Sequence, residues 1–163
     1  MKGKKMVINA LVAALYIVIT LLIKPLAFGQ VQFRVPEMFN HLVVFNKKYF
    51  YGIVGGVFIA NLLFSDLGPI DLVFGVAHSV LALSLTMIAT KYVQSVPVKM
   101  VINMLSFALC SFLVAWELVI AFEAPFWASY FFVAVGEIVV MGLAIPLMLY
   151  VDKSVHFNKI IEE

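Results

Sequence analysis

With one cysteine in 163 residues, Cys110, the chain has no disulfide framework, and the apolar run around that residue marks it as a buried thiol. Charge is also scarce: 12% of residues are Asp, Glu, Lys or Arg, against 64% apolar, where a soluble domain carries about 25% charged residues. No glycine-rich phosphate loop of P-loop type occurs, which excludes ATP hydrolysis by that route. The three histidines, His41, His78 and His156, have no metal-ligand spacing, and a zinc site would lack cysteines too. Ser106 and Ser111 have no evident His and Asp pair, so nucleophilic catalysis has no visible machinery. No cofactor is implied. The net charge of +2 comes from lysines flanking apolar runs and gives no reason to expect nucleic acid as a partner.

The chain is instead built of long apolar segments. Its mean hydropathy of +1.10 places it among integral membrane proteins, and one crossing takes about 20 apolar residues. Six crossings fit, over about 6–24, 37–46, 49–64, 71–92, 98–119 and 126–151. The predicted fold is therefore a single all-α membrane domain over 1–163, with six transmembrane helices and both termini cytoplasmic. Nine of the eleven basic residues support that orientation: Lys2, Lys4, Lys5, Lys47, Lys48, Lys91, Lys99, Lys153 and Lys159 fall inside, Lys24 and Arg34 outside. The first apolar run, Met6 to Ile23, has no small-x-small cleavage site after it and reads as an uncleaved helix ending at Lys24-Pro25.

Leu26 to Val35 reads as an ordered outer loop. Glu37 to Phe45 is short for a crossing and holds Asn40 and His41, so it must lean on neighbours. Gly52, Gly55 and Gly56 form a small-residue face for close helix packing. Asp71 stands at a helix start, where a carboxylate meets unpaired backbone N–H groups.

Ionisable residues inside spans are costly, on insertion scales roughly 2.5 to 3.5 kcal/mol for a central Asp, and mark candidate sites. Glu137, about eleven residues into the last helix, is the foremost. Trp116 and Glu117 adjoin in the outer half of the fifth span, and an aromatic face beside acceptors suits a planar, donor-rich ligand. Asn61 and His78 add an amide and an imidazole in the third and fourth spans; each alone also fits an interhelical hydrogen bond. Trp127 fits an interfacial belt position.

Together, Gln32-Phe33-Arg34-Val35-Pro36-Glu37, Ala60-Asn61-Leu62-Leu63, Leu67-Gly68, Asp71-Leu72-Val73-Phe74-Gly75, Trp116-Glu117-Leu118 and Gly136-Glu137 resemble the S components of energy-coupling factor transporters, specifically the QueT-like queuosine-precursor group. The resemblance implies a substrate-binding membrane subunit without its own ATPase, in the bacterial plasma membrane. It would dock on a coupling membrane subunit and two ATPases and topple within the bilayer during transport. Ala10 and Ala14 are similar to the small-xxx-small pair with which such proteins meet the coupling subunit. The implied ligand is 7-aminomethyl-7-deazaguanine or a close relative. On this reading Glu137 takes the base edge, Glu117 the ammonium, with exchange of the two left open, and Trp116 stacks on the ring. Arg34 and Glu37 close over the site or pair with each other, and Asp71, Asn61 and His78 complete the candidate set. The competing classes are an ion- or proton-coupled small carrier or channel with Glu137 and His78 in a relay, a structural membrane protein, and an S component for another vitamin.

Overall fold

A computed structural model describes residues 2–24 and 34–162. Most of the Leu26 to Val35 loop, including Gln32 and Phe33, lies outside the described residues. The described chain is helical: α1 (Lys2–Leu22), a 3-10 helix (Val35–His41) leading into α2 (Leu42–Phe45), a 3-10 turn (Lys47–Tyr49) leading into α3 (Phe50–Phe64), then α4 (Pro69–Ala89), α5 (Val96–Cys110), α6 (Phe112–Phe122), α7 (Phe126–Val155) and α8 (Phe157–Glu162).

Polarity is arranged for lipid. Leu22, Leu62, Leu63, Val73, Ile88 and Leu143 point outward, while His41, Asp71, His78, Asn103 and Glu117 are fully buried. Hydrocarbon outside leaves polar groups only the bundle interior in which to find partners. Among the described residues, Gly3–Leu22, Pro69–Ala89, Val96–Phe122 and Phe126–Val155 are long and apolar enough to cross a membrane.

The glycines of α3 decide how α1 docks. A Cβ at Gly52 would lie 2.7 Å from the Asn9 carbonyl oxygen, and one at Gly56 would lie 2.9 Å from Tyr16 Cβ. The absent side chains let the two helices run in backbone contact. Asn9 also uses its side-chain oxygen to accept from the Gly52 N–H at 2.8 Å, satisfying a donor in the first turn of α3. Gly55 has nothing near it, so close packing involves two of the three glycines.

Three stretches depart from the sequence reading. The segment read as a helical crossing over 37–46 is 3-10 as far as His41 and only one short α turn, Leu42–Phe45, after it. Its poorer backbone geometry is tolerated because it is buried in protein, with Glu37, Asn40 and His41 all inaccessible. His41 donates from Nε2 to the Met141 carbonyl (3.0 Å), its Nδ1 accepts from Asn103 Nδ2 (3.3 Å), and Asn103 Oδ1 accepts from Thr86 (2.8 Å). That chain ties the 3-10 segment to α4, α5 and α7.

The fifth helix, read as one piece from Val98 to Val119, is two, parted at Ser111. Near the break the Leu109 carbonyl accepts from the Tyr130 hydroxyl at 3.3 Å. The polar tail after Val151 is ordered: α7 continues to Val155, His156 takes a left-handed conformation (φ 55°), and α8 folds back. Ile161 is fully buried, the Tyr49 hydroxyl donates to the Phe157 carbonyl (2.8 Å), and Asn46 Nδ2 donates to Asn158 Oδ1 (2.8 Å).

Candidate functional site

A buried polar cluster lies where the 3-10 segment, α3, α4, α6 and α7 converge. On α4, Asp71, Gly75, His78 and Ser79 share the buried stripe, as spacings of three and four dictate. Glu117 is on the buried side of α6 with Val114 and Leu118, and Glu137 is on that of α7 between Val133 and Met141.

Two linked groups form. In the first, Arg34 Nη2 donates to Asp71 Oδ1 at 3.0 Å, and Asn61 Nδ2 donates to the same oxygen at 3.1 Å. Gly75 is what lets these three meet. A Cβ there would lie 2.4 Å from Asn61 Nδ2 and 2.6 Å from Asp71 Oδ1. Arg34 and Asp71 are the charged neighbours of Glu117.

In the second group, Glu37 accepts from the Tyr16 hydroxyl at 3.3 Å and from the Asn40 amide. One carboxylate oxygen each from Glu37 and Glu137 and one ring nitrogen of His78 lie within 4.8 Å of one another. His78 donates from Nε2 to the Phe107 carbonyl at 3.1 Å. That carbonyl also accepts from the Ser111 N–H and hydroxyl, each at 3.0 Å, at the joint between α5 and α6.

Of Arg34, Glu37, Asn61, Asp71, His78, Glu117 and Glu137, none is more than 5% exposed. The set holds four carboxyl groups and one guanidinium. Burying so many acidic groups is costly unless each finds a proton, a cation or a hydrogen-bond donor. One oxygen of Glu137 and His78 Nδ1 are buried without a hydrogen-bond partner among the described residues, and the Glu117 carboxyl lies against that of Asp71. The cluster is thus rich in acceptors, the complement of a cationic, donor-bearing guest.

The chain matches the model of the QueT transporter family over residues 6–153. It belongs to that family. As a QueT-family protein with several apolar helices, it is a multi-pass protein of the cell membrane. A similar curated relative is the "Queuosine precursor transporter QueT" of Lactococcus lactis subsp. cremoris (strain MG1363), 28% identical over 159 residues, covering 92% of this chain and 93% of the relative. No solved structure matches.

Seven of the residues singled out from the sequence thus gather in the buried polar cluster of this QueT-family chain. Trp116 does not join them. It is 50% exposed, and its ring leans on Phe126 with centroids 5.1 Å apart. Successive helix positions are about 100° apart, so burying Glu117 turns its neighbour outward. Ala10 and Ala14 are exposed on α1, to the side of the Asn9, Ala13 and Tyr16 face that packs on α3. Sequence reasoning did not assign Tyr16 and Asn40 to the site. Their signal was a lone hydroxyl in an apolar helix and an amide three residues after Glu37.

Proposed function

We propose that this chain is the substrate-binding S component of an energy-coupling factor importer, capturing a queuosine precursor, 7-aminomethyl-7-deazaguanine or a close relative, from outside. The observation that carries the reading is the cluster itself: four buried carboxyl groups against one guanidinium, in a chain of the QueT transporter family. A deazaguanine presents a ring N–H and an exocyclic amine side by side, which one carboxylate accepts as a pair, and its aminomethyl group brings a positive charge. Glu137 takes the base edge and Glu117 the ammonium. Arg34, held by Asp71, which also accepts from Asn61, limits the mutual repulsion of the acids. Trp116 lies outside the cluster, against Phe126, and is not assigned the stacking role.

The transport reading carries further parts. The chain crosses six times, at α1, the 35–45 segment, α3, α4, α5 with α6, and α7, with both ends on the cytoplasmic side. It performs no catalysis of its own and docks on a coupling membrane subunit with two ATPases, through the side of α1 that carries Ala10 and Ala14. Exposure of both alanines supports that face.

Calorimetric titration of the detergent-solubilised protein with 7-aminomethyl-7-deazaguanine, its 7-cyano analogue and guanine tests the substrate. Tight binding of the aminomethyl compound and much weaker binding of guanine is the expected result. No binding of any of the three by folded protein returns the chain to another substrate. A proton-coupled carrier is the second reading, favoured by the approach of Glu37, His78 and Glu137 within 4.8 Å. Uptake in cells that collapses with a protonophore and persists without an ATPase partner would establish it instead.

A further inference from the structure

The two buried histidines differ in one respect that bears on recognition. His41 and His78 are both fully buried, and each has Nε2 against a backbone carbonyl, of Met141 and Phe107 respectively. A carbonyl only accepts, so in both rings Nε2 carries the hydrogen and neutral Nδ1 holds a lone pair. At His41 that lone pair is used, accepting from Asn103 at 3.3 Å. At His78 the corresponding Nδ1 is buried and has no hydrogen-bond partner among the described residues. The first histidine is a satisfied structural link. The second is an acceptor with its tautomer already fixed, on a ring that has one nitrogen within 4.8 Å of a carboxylate oxygen each of Glu37 and Glu137.

We propose that His78 Nδ1 reads the exocyclic 2-amino group of the bound base and is the residue that selects guanine-type over hypoxanthine-type rings. The inference rests on the deazaguanine reading above and adds a specificity determinant to it. An exocyclic amine has two hydrogens. Glu137 takes one of them together with the ring N–H, as a bidentate carboxylate does. The other hydrogen leaves the amine on the far side and needs a separate acceptor. His78 supplies it from a different helix, and Glu37, already accepting from Tyr16 and Asn40, is held close by. A ring without the 2-amino group would leave Nδ1 and a carboxylate oxygen buried and unsatisfied. Sites built around a substrate N–H reject the analogue lacking it far more strongly than apolar pockets reject a missing methylene.

The Phe107 carbonyl is essential to this role. Were Nδ1 to carry the hydrogen, it would repel the amine, and only the donation from Nε2 excludes that tautomer. His78 also lies edge-on to the Phe107 ring, with centroids 5.3 Å apart, which limits its rotation.

The test titrates wild-type protein with 7-aminomethyl-7-deazaguanine and with the same compound lacking the 2-amino group, then repeats both with His78→Asn and His78→Leu. Wild type is expected to bind the deamino compound at least about 100-fold more weakly. His78→Leu is expected to shrink that ratio by roughly tenfold, while His78→Asn, whose side-chain oxygen offers an acceptor in nearly the same place, retains most of it. An unchanged ratio in folded His78→Leu overturns the inference, since Glu137 alone would then account for the wild-type preference, and His78→Ala, which also lacks an acceptor, is read in the same way where His78→Leu does not fold. Equal binding of the two compounds by wild type overturns it together with the paired Glu137 contact and leaves the ligand itself in place, whereas failure to bind the aminomethyl compound overturns the deazaguanine reading as well. Stoichiometric binding of Zn2+ or Mn2+ by ligand-free protein, lost in His78→Leu, would also overturn the inference, since the lone pair would then belong to a metal ion.

Discussion

Glu117 and Glu137 sit in one buried cluster yet face different company. Glu137 lies near Glu37 and His78, while Glu117 lies against the Asp71 carboxyl with Arg34 as its cationic neighbour. Replacing Glu117 by Gln is therefore expected to weaken binding of the aminomethyl compound by roughly 10- to 100-fold, the loss of one charge-assisted contact. Binding of the 7-cyano compound, which has no ammonium, should change only a few-fold, and titration of both ligands against one variant separates the two effects. The candidate acids were legible in the sequence because a charge inside an apolar run is conspicuous. Their grouping was not, since spacing within a helix says nothing of which helix faces it. Trp116 shows the limit most clearly: adjacency to Glu117 in the chain places it on a different face of α6.

At the level of elements, glycines distinguish packing from mere composition. Gly52 and Gly56 face α1 at distances a Cβ cannot share, while Gly55 has open space. Gly55→Ala is expected to stabilise the protein by about 0.5–1 kcal/mol through helix propensity. Gly52→Val and Gly56→Val should each destabilise it by about 1–3 kcal/mol through overpacking, as thermal unfolding in detergent would record. The small-xxx-small pair was readable from the sequence, whereas the 3-10 form of Val35–His41 was not. Burial of Asn40 and His41 against other helices decides that conformation, and burial is a tertiary fact. Helix α8 was missed for a related reason, because six mixed residues carry little periodicity. It is held in part by exposed Lys48 pairing with Glu162. Donation from Lys48 lowers the Glu162 carboxyl below its ordinary range, and the same bond raises Lys48. The pair's contribution is present above the unfolded Glu value of about 4.3 and is lost as pH falls through the lower folded value; at the alkaline end it is present below about 10.4 and lost as Lys48 deprotonates. Amide exchange in 157–162 is expected to speed up, relative to the rest of the chain, below about pH 4, and less so in Glu162→Gln, which has no charge to lose.

Across the whole molecule, the lysines form the most legible pattern. Lys47, Lys48, Lys91, Lys99, Lys153 and Lys159 lie in short connections or helix ends that six crossings would bring to one side. In a Cys110→Ser background, single cysteines at Lys91 and Lys159 should react with a membrane-impermeant maleimide only after cells are opened, and one at Asp66 should react in intact cells. Reaction of all three in intact cells would rule out that topology. Hydropathy exposed this architecture because lipid sorts residues by polarity over whole segments. It could not expose the break at Ser111, where the chain stays apolar on both sides. That break has a mechanical consequence. The Phe107 carbonyl ends α5, receives Ser111 at the joint with α6, and orients the imidazole of His78 on α4. The joint before the half-helix carrying Glu117 thus shares one atom with the support of His78, so a guest held by both residues would splint that joint.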